Sequence, residues 1–421
     1  MNFKVSLGAA IAFAITVAAL TLSITMTYST NLYNEKMSAL REREAANEKF
    51  AEIDREVRSH YYKSINNTVL MDSVAKGYLA GIGDPYAKYL SVEEYAKISQ
   101  GLEGVTVGIG AELEISPDGY LRVIEVYPDS PAQMAGIEAG DLIISIDDVT
   151  LTPENSQQQL SMVEGAVGTR VVMTIRSGAS ERVEEMTRRE IAKTTVYSRM
   201  IEDTNVGYIL ITEFSDRTSN QFNRELSKLQ NAGARAIIFD VRDNKGGILR
   251  QATRILDRLI PAGSLVSAVY KDGSVVEMEN SDGNWLDLPV VMLANKNTAG
   301  AAEVFVQVLK DYGQGNSVGT TTAGNGVVQE MVKLSDGSAI EITVAQYVTP
   351  SGEIFNGIGV KPDFEVTMSA ELEGNWRNLN YETDPQLQKA VSVALSLVNA
   401  GEVQELQQNN AETEQDVEPP K

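Results

Sequence analysis

The sequence contains no cysteine. Disulfides, thiolate metal sites and a cysteine nucleophile are therefore excluded. It contains one histidine, His60, so a histidine-rich metal site is excluded as well. A Ser-His-Asp triad would have to recruit that single ring from a polar, helix-like stretch near the N-terminus. Hydrolytic chemistry on this chain needs another base, such as a lysine. Positive charge is also scarce: 36 Lys and Arg stand against 58 Asp and Glu, a net charge of −22. Nucleic acid is not expected as a partner, because phosphate binding needs a basic face. None of the motifs below calls for a cofactor or a metal.

What is present describes a folded protein. The chain has 421 residues, 43% apolar and 22% charged, which is enough for two or three domains. One apolar run stands out. From Val5 to Met26 there is no charge, and the run is long enough to span a bilayer. Lys4 and the α-amino group precede it, which favours a cytoplasmic N-terminus and an exported remainder. Residues 1–27 are thus expected to be a signal anchor, with the chain single-pass in the cell membrane and its bulk extracytoplasmic. The competing reading is a cleaved signal peptide. Against it, the run exceeds a usual signal core, and "SITMTYSTNLY" offers no small-x-small cleavage site. The lack of cysteine is compatible with an extracytoplasmic location.

Residues 28–102 read as a helical region. Asn34 to Asn66 has no Gly or Pro, and Phe50, Ile53 and Val57 share one face at helical spacing. That stretch is either a solvated stalk or a dimerisation helix. Met71–Ile98 predicts a helix, a Gly-Asp-Pro turn and a second helix, with Ser91 and Glu94 as a capping box. From about Gly104 the period changes to two. "GVTVGIGAELEI", "LRVIEVYP", "DLIISIDDV" and "TRVVMTIR" are short strands, with a helix at Asn155–Gly165, making a β module over 103–190. Over 191–400 strands alternate with helices, the mark of an α/β domain. The acidic end, 401–421, is expected to be disordered.

"NTAGAAEVFVQVLKD" (Asn297–Asp311) has the form of a turn that presents a nucleophile at the start of a helix, yet it holds neither Ser nor Cys. In order along the chain come "GDPYAKYL", "SPAQMAGIEAGDLIISID", "DVRDNKGG", this turn, "TAGNGVVQ" and "YVTPSGEIFNGIGVKPD". Together they resemble the carboxyl-terminal processing peptidases, or tail-specific proteases, which join a PDZ domain to an α/β core and use a Ser–Lys dyad. The resemblance covers about Gly83 to Ala390. It implies that the nucleophile position is Gly300 and the lysine position Asn325, with Gln329 as the residue that would support the lysine. It further implies that Gly246, Gly247 and Ala301 present backbone N–H groups at the oxyanion site.

Gly300 has no side chain, so no acyl-enzyme can form there. The Asn325 amide does not titrate in a useful range and cannot take a proton from a hydroxyl. The expectation is a pseudo-protease acting as regulator or adaptor. The competing class is an active serine-type endopeptidase with displaced residues, such as Thr298 with Lys296 or Lys245. Thr298, however, is the family's ordinary residue at its position. A third reading is a purely structural partner within an oligomer.

The PDZ-like segment retains its ligand loop by the same resemblance. Gly108, Ile109, Gly110 and Ala111, in "VGIGAE", would gather N–H groups around a peptide's terminal carboxylate. The peptide would add as a strand beside Ala111–Glu114, with Leu160 and Val163 lining the pocket for its last side chain. The alternative is a PDZ fold that only packs on the core and gates it. The expected partners are C-termini of extracytoplasmic polypeptides, the membrane through the N-terminal helix, and a second copy or an active relative.

Overall fold

The structure is a computed structural model that describes residues 7–415. Residues 1–6 and 416–421, which hold Val5 and the end of the acidic segment, lie outside the described residues. The chain divides into two compact units, one up to residue 75 and one from Lys76 onward.

The first unit is dominated by one 54-residue helix, Leu7–His60. The apolar anchor and the charged stretch after it are thus one uninterrupted element, because nothing between them breaks a helix. Ile11–Asn34, 24 residues, is long and apolar enough to cross a membrane or to act as a signal sequence.

The second unit holds the core. A six-stranded sheet runs in the order Val196–Met200, Val206–Ile211, Ala236–Asp240, Val290–Ala294, Gly315–Gly319 and Phe364–Glu365. The first pair is antiparallel and the others are parallel. The central strands are buried on both faces, as parallel strands between helices must be. Alternation divides their side chains. Ile237, Phe239 and Met292 join Phe214, Phe222 and Phe305 on one face. Ile238, Val291 and Leu293 join Leu387, Val391 and Ala394 of the last helix on the other. Phe239 lies 5.7 Å from both Phe222 and Phe305, centroid to centroid, tilted against the first and edge-on to the second.

A second sheet is built from Gly263–Tyr270, Val275–Ser281, Val327–Lys333 and Ala339–Val348. It takes in Lys88–Leu90, which pairs antiparallel with Ala339–Glu341. The segment expected to be helical up to residue 102 is therefore interrupted by a strand. Three residues of β structure carry no period of their own, and the pairing partner supplies the reason for it. The following helix, Val92–Glu103, begins with the capping box of Ser91 and Glu94.

The β module contributes a five-strand antiparallel path: Ala111–Ile115, Leu121–Val126, Leu142–Ile146, Arg170–Ser177 and Ser180–Thr187. Ala111–Ile115 forms its edge. The run "GVTVGIGAELEI" is two strands rather than one. Val105–Gly108 leaves to pair with Arg189–Ala192, and the chain turns at Ile109–Gly110. The last helix runs Pro385–Gln415, past residue 401, where disorder was expected to begin. Residues 402–418 contain no Gly or Pro and are rich in Glu and Gln, so helix propensity alone carries the element on.

Candidate functional site

Three loops meet at the C-terminal ends of the central strands. The first follows Ala236–Asp240. Asn244 fixes it by three bonds: its Oδ1 accepts from Gly246 N at 2.8 Å, its Nδ2 donates to Ile211 O at 2.9 Å, and its carbonyl accepts from Ala299 N at 2.9 Å. Gly247 lies against Phe214, where an added Cβ would stand 2.4 Å from the carbonyl oxygen. Only a glycine lets the two backbones come this close. The N–H groups of Gly247 and Ala301 make no hydrogen bond among the described residues.

The second loop follows Val290–Ala294 and leads into the helix Ala301–Asp311. Gly300 has φ 58° and ψ −122°, a conformation open to glycine and costly for other residues. A Cβ there would meet nothing closer than 3.7 Å, with Asn325 Nδ2 at 3.9 Å and Gly246 Cα at 4.0 Å. The positions singled out as nucleophile, base and oxyanion loop therefore lie together around one small space. Asn325 adds a buried Oδ1 without a hydrogen-bond partner among the described residues.

The third loop precedes Val327–Lys333, and Glu303 binds it to the second. One carboxylate oxygen accepts from Gly300 N at 3.0 Å and Asn325 N at 2.7 Å. The other accepts from Gly324 N at 2.7 Å and from the Thr322 hydroxyl. Glu303 is fully buried. Burial pushes its carboxyl above the ordinary range, while the hydrogen bonds from Thr322 and the three amides work the other way. Gln329 does not reach Asn325. Its amide donates to Tyr86 O at 3.1 Å, and the Tyr86 hydroxyl donates to Gly324 O at 3.1 Å.

The displaced pair is not assembled. Thr298 is fully buried, donating to Val241 O at 2.8 Å and accepting from Asn295 N at 3.0 Å. Lys296 is ion-paired with Glu373 at 3.0 Å. Lys245 is exposed.

Behind the first loop lies a charged cluster that sequence reading passed over. Arg242, 1% exposed, bonds to Asp240 and Asp384, accepts no solvent contact to speak of, and stacks on Trp376 at 4.1 Å. Its guanidinium stays charged: burial opposes the charge, and Asp240 and Asp384 overcome it. Asp243 receives hydrogen bonds from Trp376 Nε1 at 2.6 Å, Asn295 Nδ2 at 2.9 Å and Asn297 Nδ2 at 2.8 Å. Burial works against its charge, yet these bonds hold its carboxyl below the ordinary range. The signal available was "DVRD" at the end of a buried strand, since buried charges must be paired.

In the β module, Gly108, Ile109, Gly110 and Ala111 form the turn into the edge strand, beside the helix Ser156–Val163. Ile109 and Val163 are 1% and 5% exposed and belong to the module's core. Val163 closes that core at the C-terminal end of the helix. Leu160 and Ala111 are the half-buried side chains left along the groove.

Comparison with known proteins adds the following. Residues 205–366 match the family model "Peptidase family S41", and residues 122–177 match a PDZ domain. A probable CtpA-like serine protease of Staphylococcus epidermidis is 32% identical over 350 residues, 82% of this chain and 70% of the relative. The carboxy-terminal processing protease CtpA of Bacillus subtilis is 30% identical over 360 residues, 84% of this chain and 75% of the relative. The carboxyl-terminal-processing protease of a Picosynechococcus strain is 32% identical over 321 residues, 75% and 77% of the two chains. In fold, the chain is similar to a putative S41 protease from Bacteroides fragilis, with a TM-score of 0.52, 18% identity, and coverage of 80% of this chain and 99% of that one.

Proposed function

Because the chain belongs to the carboxyl-terminal processing peptidases of family S41 and carries their PDZ domain, we propose that it is a pseudo-peptidase of that family. On this reading it is membrane-anchored and extracytoplasmic, binds polypeptide C-termini through the PDZ domain, and acts as a regulator or adaptor. One observation carries the reading: at the start of the Ala301–Asp311 helix, the residue facing Gly246 and Asn325 is Gly300, with no side chain to attack a carbonyl. Asn325, facing it, has no titratable group to act as base. The buried and fully engaged Thr298 supports the same reading, since its hydroxyl is committed to Val241. So does Lys296, held by Glu373.

The test is direct. The full chain in detergent is incubated with an unstructured protein and, separately, with a serine-reactive phosphonate. The expected result is neither turnover nor labelling. Turnover that persists after Gly300 is replaced by a bulky residue would sink the assignment of the site, and labelling of any serine or threonine would restore the displaced-residue enzyme.

A further inference from the structure

Among the described residues, the edge strand Ala111–Ile115 has one neighbour, Leu121–Val126, and its other side is unpaired. Its side chains alternate. Ala111, Leu113 and Ile115 pack inward against the PDZ core, on the side of Leu160. Glu112 and Glu114 therefore stand on the outer face. Glu114 lies opposite Arg122 of the neighbouring strand, a cross-strand position of opposite charge. Glu112 lies opposite Glu125, so two carboxylates sit side by side at the beginning of the edge strand. Glu125 is taken by the Tyr197 hydroxyl at 2.6 Å. Glu112 is paired with Arg377 at 3.7 Å, and both of those side chains are more than two-fifths exposed.

A peptide whose terminal carboxylate sits at the Gly108–Gly110 turn must run antiparallel to this strand, because the turn is at the strand's start. Its last and third-last side chains then face Leu160, and its second-last and fourth-last face outward beside Glu112 and Glu114. We infer that the PDZ groove selects C-termini with a lysine or arginine in the second-last position, recognised by Glu112. Arg377 is the chain's own occupant of that position, and a basic ligand side chain takes its place. The inference rests on the C-terminal capture proposed above. Cross-strand charge pairs of this kind change affinity roughly two- to fivefold.

The test uses the full chain in detergent and fluorescent peptides with a free carboxylate and a C-terminal leucine. Lysine, alanine or glutamate is placed second-last, and a matched peptide of equal charge carries its lysine third-last. The expected order is lysine over alanine over glutamate, with the third-last lysine giving no gain. The preference should fade at high salt, since the pair is partly exposed. It should be lost in Glu112→Gln and enlarged in Arg377→Ala, which frees Glu112. Equal binding of the lysine and alanine peptides, or equal gain from lysine at either position, overturns the inference while leaving C-terminal capture standing. Failure of every free-carboxylate peptide to bind overturns both.

Discussion

The double variant Gly300→Ser with Asn325→Lys tests the reading of the site most severely. The space is present: a Cβ at residue 300 meets only ordinary contacts at 3.7 to 4.0 Å, and a hydroxyl one bond further out comes within reach of the group at residue 325. The cost of the serine is therefore backbone strain rather than collision. A non-glycine residue at φ 58° and ψ −122° costs about 1–3 kcal/mol. At roughly 2–4 °C per kcal/mol, that is a modest fall in melting temperature, readable by calorimetry. Gly247→Ser is the contrast, since its Cβ would lie 2.4 Å from Phe214 O, and a much larger loss is expected. Activity needs the new lysine to shed a proton. Partial burial favours that, but the nearby Glu303 carboxylate opposes it by stabilising the ammonium. Peptidase activity should hence rise toward alkaline pH. A positioned base contributes about 10²–10⁴-fold, so the double variant should cleave an unstructured substrate at least about 10²-fold above background. Each single variant should remain at background, because nucleophile and base act as a unit. A stably folded double variant that shows no turnover at any pH would refute the claim that two side chains separate this site from chemistry.

The apolar stretch Ile11–Asn34 should hold the protein in the membrane fraction through high salt and carbonate washes, whereas a soluble product with a new N-terminus beyond residue 20 would identify a cleaved signal sequence instead. Amidating a peptide's C-terminus should weaken its binding at least about tenfold, measured by fluorescence anisotropy, since the turn at 108–110 would lose its charged partner. Equal affinity for the two forms would remove carboxylate capture. The Asp243 carboxyl has its folded pKa lowered, so the native state binds fewer protons than the unfolded chain between the two values. Its contribution to stability is present above the ordinary aspartate range and is lost as pH falls through the lowered folded value. Denaturant melts of Asp243→Asn should accordingly show a shallower loss of stability on acidification than the parent, and parallel curves would contradict that assignment.

How much of this was legible depended on the range of the interaction. Ala236–Asp240 and Val290–Ala294 were readable because continuous apolar runs end at polar turns. The turn into the Ala301–Asp311 helix was readable from the small residues that precede an apolar run at helical spacing. What Glu303 holds was not readable, because its partners lie at 322–325 and no local period links the two loops. The strand Lys88–Leu90 exists through a partner some 250 residues away, and the Arg242–Asp384 pair is likewise distant in sequence. The second sheet, from Gly263 to Val348, went unread for the same reason: its pairings join hairpins across the whole core. Val163 was placed by resemblance rather than by its local pattern, since a residue at the end of a helix can line a groove or close a core with the same spacing.

Glu303 gathers four donors from two loops and keeps its own charge away from water. Nothing it holds depends on a reacting group, and the amides it binds at 300, 324 and 325 belong to the backbone. Residues 300 and 325 can thus exchange side chains while the frame around them keeps its shape. On the pseudo-peptidase reading proposed above, such a frame would leave a bound polypeptide no exit but dissociation, and its residence time would be set by that rate alone.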